Sequence, residues 1–133
     1  MKLEIFTFCE FANVYGGALC ISGISDGIYS PQQPLKFPRF CIVYRIRFEA
    51  VEEGVHTINI SIMDEDGKPI IPAFQKQIVA QIPNGLNTGA NIGMANFNGV
   101  TFPKFGEYSL DLFVDGKPLS SQPLHFQKDG NAI

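Results

Sequence analysis

Between Arg39 and Glu49 the side chains alternate, with Ile42, Tyr44, Ile46 and Phe48 on one parity and Arg45, Arg47 and Glu49 on the other. A period of two places successive side chains on opposite sides of an extended backbone, whereas a helix repeats its apolar residues every three to four positions. The spacing predicts a central strand with one wet face. Nowhere does a 3.6-residue spacing persist for three turns, so no helix is expected. Apolar residues that repeat in twos have to be buried between sheets.

The same period recurs along the chain. His56, Ile58, Ile60 and Ile62 predict a strand after the turn at Glu52-Glu53-Gly54, and Tyr108, Leu110, Leu112 and Val114 predict another after Gly106. From Leu3 to Phe11 the apolar residues fall on odd positions, but Phe6 and Phe8 interrupt the alternation, which predicts a strand covered on both sides for part of its length. Gly16-Gly17 supplies the positive φ of a tight reversal into a second strand, Ala18 to Ile24. A hairpin centred there sets Cys9 opposite Ile24 and Asn13 opposite Cys20. The two cysteines are then offset by roughly 13 Å along the strands, beyond disulfide reach. Pro31, Pro34 and Pro38 remove amide donors and predict a loop crossing from one sheet to the other.

Asp66-Gly67 and Asp115-Gly116 mark two further hairpin turns. A two-residue turn pairs even positions with odd ones, yet the apolar residues on both sides of each turn are even, as with Val114 before Leu124 and Phe126. One extra residue restores the match, and a type I turn with glycine in a left-handed bulge supplies it at both turns. Pro69 and Pro72 imply that the strand after Gly67 is an edge or is broken. From Gln77 to Pro103 no residue is charged, and the middle of this segment is rich in Asn and Gly. A loop near Pro83 to Gly89 and a strand near Ile92 to Phe97 are expected.

Short strands with turn signals roughly every 8 to 12 residues predict an all-β fold, an antiparallel β-sandwich. It forms one domain over residues 1–133, with 127–133 a flexible C-terminal tail. An immunoglobulin-like topology is favoured, because Gly106-Glu107-Tyr108 places a tyrosine at the start of a late strand, where its hydroxyl can bond back to the preceding corner. A core tyrosine with its hydroxyl at the rim accounts for Tyr108 equally well.

In 133 residues, 45% apolar against 17% charged is a globular balance, large enough to bury a core without metal or disulfide staples. A net charge of −3, with the basic residues scattered apart from Arg45 and Arg47, argues against a nucleic-acid partner. No stretch of about 18 apolar residues is present to cross a membrane as a helix. Glu4 and Glu10 interrupt the region where a secretory signal would be apolar. The three cysteines, Cys9, Cys20 and Cys41, lack CxxC spacing and fit reduced thiols. A cytoplasmic location is expected.

Each candidate for chemistry has a plainer explanation. Gly23-Ile24-Ser25-Asp26-Gly27 matches a hydrolase nucleophile elbow, but Ile28-Tyr29-Ser30-Pro31 follows where a helix is needed. His56 and His125 are the only histidines, and no spacing pairs either with a cysteine. Asp64, Asp66 and Gly67 open like a calcium loop, but Gln75 stands where its bidentate glutamate belongs. A hairpin turn explains those residues. Asn59-Ile60-Ser61 fits a glycosylation triplet but lies mid-strand.

Four segments together carry a resemblance. They are Phe8-Cys9-Glu10-Phe11-Ala12-Asn13-Val14 with Gly17 and Leu19, Arg45-Ile46-Arg47-Phe48, Asp64-Glu65-Asp66-Gly67-Lys68-Pro69, and Gly106-Glu107-Tyr108-Ser109-Leu110-Asp111-Leu112-Phe113-Val114-Asp115-Gly116. The chain from Lys2 to Phe126 resembles an uncharacterised family of small bacterial proteins of unknown function with a single β-sandwich domain. The resemblance implies that fold and a bacterial setting, and carries no catalytic residue across.

The expected function is a non-enzymatic β-sandwich binding or interaction module, using no cofactor or metal, that joins a protein partner or a second copy through a sheet edge. Arg45, Arg47, Asn87, Asn91, Asn96, Phe97 and Asn98 are its candidate surface, arginine for bidentate contacts and the amides for sealing an edge without charge. The alternative is a small-ligand or carbohydrate-binding domain using a sheet face or the Asn/Gly loops, with Phe97, Phe102 or Phe105 as a stacking surface.

Overall fold

The computed structural model describes residues 1–128. These residues form β1 (Lys2–Tyr15), β2 (Ala18–Ile24), β3 (Gly27–Ser30), β4 (Leu35–Glu49), β5 (Gly54–Met63), β6 (Phe74–Ala80), β7 (Thr88–Phe102), β8 (Gly106–Val114) and β9 (Lys117–Lys128). A single 3-10 turn, Ala50–Glu52, precedes β5. The strands make two sheets packed face to face, ordered β2-β1-β4-β7 and β3-β9-β8-β5-β6.

Alternation sorts residues into the core as expected. Ile42, Tyr44, Ile46 and Phe48 of β4 meet Ile58, Ile60 and Ile62 of β5 and Tyr108, Leu110, Leu112 and Val114 of β8, all buried. Phe6, Phe8 and Cys9 are buried together, so β1 is covered on both sides at its middle. The hairpin at Gly16-Gly17 has the expected register, Cys9 opposite Ile24 and Asn13 opposite Cys20, with both glycines at positive φ.

Several details differ. β3 runs parallel to β9, an exception to the antiparallel expectation, because the chain leaves the first sheet and enters the second beside a strand already going its way. That pairing takes up Gln127 and Lys128, opposite Tyr29 and Ser30, so the expected tail from 127 begins as strand. Residues 129–133 lie outside the described residues. The proline-rich crossing is shorter than expected. β4 already includes Pro38, which is tolerated because β1 pairs with β4 only as far as Cys41 and leaves that flank open. β7 is fifteen residues long, well beyond Ile92 to Phe97. Register with β4 runs unbroken from Leu35 opposite Phe102 to Glu49 opposite Thr88, and tertiary pairing overrides the weak strand propensity of Asn and Gly.

The parity argument holds at both hairpins but locates one bulge wrongly. At Gly67 (φ 78) the Asp64 carbonyl accepts the Gly67 N–H and the Asp64 N–H donates to the Lys68 carbonyl, the expected three-residue turn with a left-handed glycine. Beyond it the strand is broken, with one bridge at Pro69 before β6 starts at Phe74. At the other hairpin Asp115 (φ 53) and Gly116 (φ 80) are both left-handed, a two-residue turn pairing Val114 with Lys117. The extra residue there is Leu119, where register shifts between Phe113 opposite Pro118 and Leu112 opposite Ser120.

Candidate interaction surface

β7 ends the first sheet, with β4 on one side and no strand on the other among the described residues. Alternate residues of such a strand turn their N–H and C=O groups outward, and natural edges are blunted by brevity, charge, proline or kinks. The other three edges carry these devices. β3 has four residues, β6 carries Lys76 behind Pro72, and β2 is kinked at Gly23 (φ 72). Apart from a left-handed Gly99 near its far end, β7 carries none of them.

Its glycines are explained by packing. A Cβ at Gly93 would lie 2.2 Å from the Tyr44 ring, and one at Gly89 would lie 2.4 Å from the Gln81 carbonyl. Both residues face the core, where their neighbours come in too close for any side chain. The amides divide between the two faces. Asn96 and Asn98 are exposed on the outer face, opposite Cys41 and Arg39. Asn91 faces the core, opposite Ile46, and its Oδ1 is buried without a partner. Asn87 is exposed in the loop before the strand.

Arg45 and Arg47 share the outer face with Asn96 and Asn98, but their charge is already matched. Both pair with Glu4, Arg47 at 2.7 Å, and Arg47 also donates to Thr88 Oγ1 at 3.0 Å. The candidate residues therefore do not form one patch. Phe97 turns inward and stacks on Phe40 at 5.1 Å. Phe102 is fully buried, and Phe105 packs on Phe126 at 4.9 Å. Phe102 is thus part of the core, while Phe97 and Phe105 pack against it partly buried, so the three rings do not form one exposed stacking surface.

Groups with chemical potential elsewhere are occupied by structural contacts. His56 sits between two acceptors, Nδ1 against Asp115 Oδ2 and Nε2 against the Glu52 carbonyl, each at 2.6 Å, and stacks on Phe48. Both bonds raise its pKa, that to Glu52 foremost, while the bond from His56 holds the Asp115 carboxyl below its ordinary range. His125 lies opposite Glu107, at the other end of β8 from Asp115. Ser25 Oγ donates to the Gly27 carbonyl and accepts the Gly27 N–H, closing a local turn. Asp64 Oδ1 accepts the N–H groups of Asp66 and Lys68, and Glu65 Oε1 accepts that of Glu107, lining a cleft of about 170 Å³. No group of three metal-ligating side chains occurs among the described residues.

Glu4 and the Cys9–Cys41 juxtaposition escaped the sequence reading. Both depend on β1 pairing with β4, a non-adjacent strand, and nothing local to either residue signals that pairing.

Fold and surface together define an all-β, two-sheet protein with one long, uncharged, open edge. The chain belongs to the family of unknown function DUF6941, whose model matches residues 4–127. No curated protein matches it.

Proposed function

We propose that the protein is a non-enzymatic interaction module that accepts an extended polypeptide segment along the free edge of β7. The edge itself carries this reading: fifteen residues, uncharged, free of proline and in unbroken register with β4. An incoming strand meets a row of backbone donors and acceptors flanked by the Asn96 and Asn98 amides, with no ion to desolvate. The absence of an enzymatic role is supported by the structural occupation of His56 and Ser25. An immunoglobulin-like topology is our reading of the strand order. It is supported by the parallel pairing of β3 with the last strand and by the Tyr108 hydroxyl, which donates to the Lys104 carbonyl at 2.6 Å. The three unpaired thiols support a cytoplasmic setting.

The test is light scattering after size exclusion, combined with amide exchange, on wild type and on an Asn96→Lys/Asn98→Lys double variant. Wild type is expected to associate, with itself or with a partner strand, and to protect β7 as it does so. The variant is expected to lose both, with its Tm within about 2 °C of wild type because both side chains are exposed. A wild type that is monomeric and whose outward β7 amides exchange freely at every concentration and in cell lysate overturns the reading.

A further inference from the structure

We infer that Cys9 and Cys41 form a redox-modification site, at which a low-molecular-weight disulfide oxidises the pair to a cross-strand disulfide tying β1 to β4. The two cysteines are direct partners in the β1–β4 ladder. Directly opposed residues of an antiparallel pair have Cα atoms about 5.5 Å or less apart, inside the window of about 4.4–6.8 Å that a disulfide requires. Cys41 alternates with the core residues Phe40 and Ile42, so both thiols project from the outer face of the first sheet. There they are buried in a separate small cluster with Ala12 and Val43, against Leu19, Ile21 and Met94. The sulfurs are near enough to perturb each other's ionisation.

Their position also provides access. Cys9–Cys41 is the last rung of the β1–β4 ladder. Beyond it β1 continues with β2 alone and β4 with β7 alone. Ladder ends at a fork open more readily than the middle of a sheet. Burial pushes the Cys9 thiol up to about 12, so in the closed state the pair is inert and oxidation follows opening of the fork. Burial also raises Cys41, but its hydrogen bond with Cys9 and, after that, the charge of Arg39 two residues along the same strand face oppose the rise, and Cys41 is the first nucleophile. Its thiolate attacks one sulfur of the oxidant and expels a thiolate, which takes up the proton. The Cys9 thiolate then displaces the second half from the mixed disulfide. Two protons and two electrons leave the protein, and the oxidant departs as two thiols. Cys20 is exposed on β2 opposite Asn13, offset from both, and takes only a mixed disulfide.

The experiment incubates the folded chain with oxidised glutathione, quenches in acid, alkylates under denaturing conditions and maps the digest by mass spectrometry. A peptide linking Cys9 to Cys41 is expected in wild type and equally in a Cys20→Ser variant, with Tm raised by about 5 °C on oxidation. The inference is overturned when Cys9 and Cys41 are both recovered alkylated after Cys20 has been fully glutathionylated. Glutathione retained on Cys9 or Cys41 without a cross-link overturns it as well.

Discussion

Two buried tyrosines show how one atom decides what a residue contributes. The Tyr108 hydroxyl donates to the Lys104 carbonyl at 2.6 Å and accepts the Lys104 N–H at 3.2 Å, closing the corner before β8. The Tyr44 hydroxyl is buried with no partner, and burial alone pushes its pKa up to about 12. Removing a paired hydroxyl strands its partner, while removing an orphan relieves a desolvation cost. Tyr108→Phe is therefore expected to lower stability by about 1 kcal/mol and Tyr44→Phe to leave it unchanged or raise it, read from urea midpoints. Equal losses would refute the distinction. Gly93→Ala forces a methyl group to 2.2 Å from the Tyr44 ring and is expected to cost about 3 kcal/mol in the same measurement. The sequence reading puts Gly89 in a loop and Gly93 in a strand. Both are strand residues, kept small by neighbours from β4 and from the segment after β6, contacts that no local window contains.

At the scale of the element, the β8–β9 hairpin was legible in its ends and not in its middle. Parity counted the extra residue correctly, because Tyr108, Leu110, Leu112 and Val114 had to share a face with Leu124 and Phe126. It placed that residue in the turn, whereas the bulge falls at Leu119. The reason lies outside the hairpin. Asp115 is held left-handed by β5, its carboxylate accepting the Thr57 N–H at 2.9 Å and bonding His56 while its own N–H donates to the Thr57 carbonyl. With the turn fixed at two residues, the ladder absorbs the mismatch further up. This clasp makes stability pH-dependent. The folded pKa of His56 is raised above its ordinary 6.5, so its contribution is complete below 6.5 and is lost as pH rises through the raised value. The folded pKa of Asp115 is lowered below its ordinary 3.8, so its contribution is complete above 3.8 and is lost as pH falls through the lowered value. Both are complete between 3.8 and 6.5. Asp115→Asn keeps the left-handed preference and the acceptor for Thr57 but removes the charge. Wild type is expected to lose about 1 kcal/mol between pH 5.5 and pH 8.5, a modest figure because the Asp115 side chain is 45% exposed, and the variant to lose less, keeping the part that the Glu52 carbonyl supplies. Matching pH profiles for the two proteins would remove the clasp from the account.

At the scale of the whole molecule, strand identity was readable from period two, but strand order was not, because order is set by contacts between distant segments. β1 lies beside β4, and β3 beside β9, through pairings that leave no trace in either strand alone. The uncharged stretch from Gln77 to Pro103 stood out in the sequence, and the sheet order supplies what was missing: its strand is an edge. Burial and order together rank the strands. β4 is flanked by β1 and β7 and is buried on both faces from Ile42 to Tyr44, inside the fork at Cys41, so its amides there are protected by the global fold. β7 is joined to β4 just as extensively, but only its inward-facing amides have partners. Native-state amide exchange at low protein concentration is therefore expected to show slow β4 amides from Ile42 to Arg47, where both neighbours pair with it, fast β2 and β3, and a β7 split residue by residue between slow and fast. On raising the concentration, or on adding a strand-forming partner, the fast set of β7 alone should slow while β2 and β3 remain unchanged. Protection gained on β2 in place of β7 would move the interaction to the opposite edge of the sheet, where Ala18 to Ile24 is also uncharged.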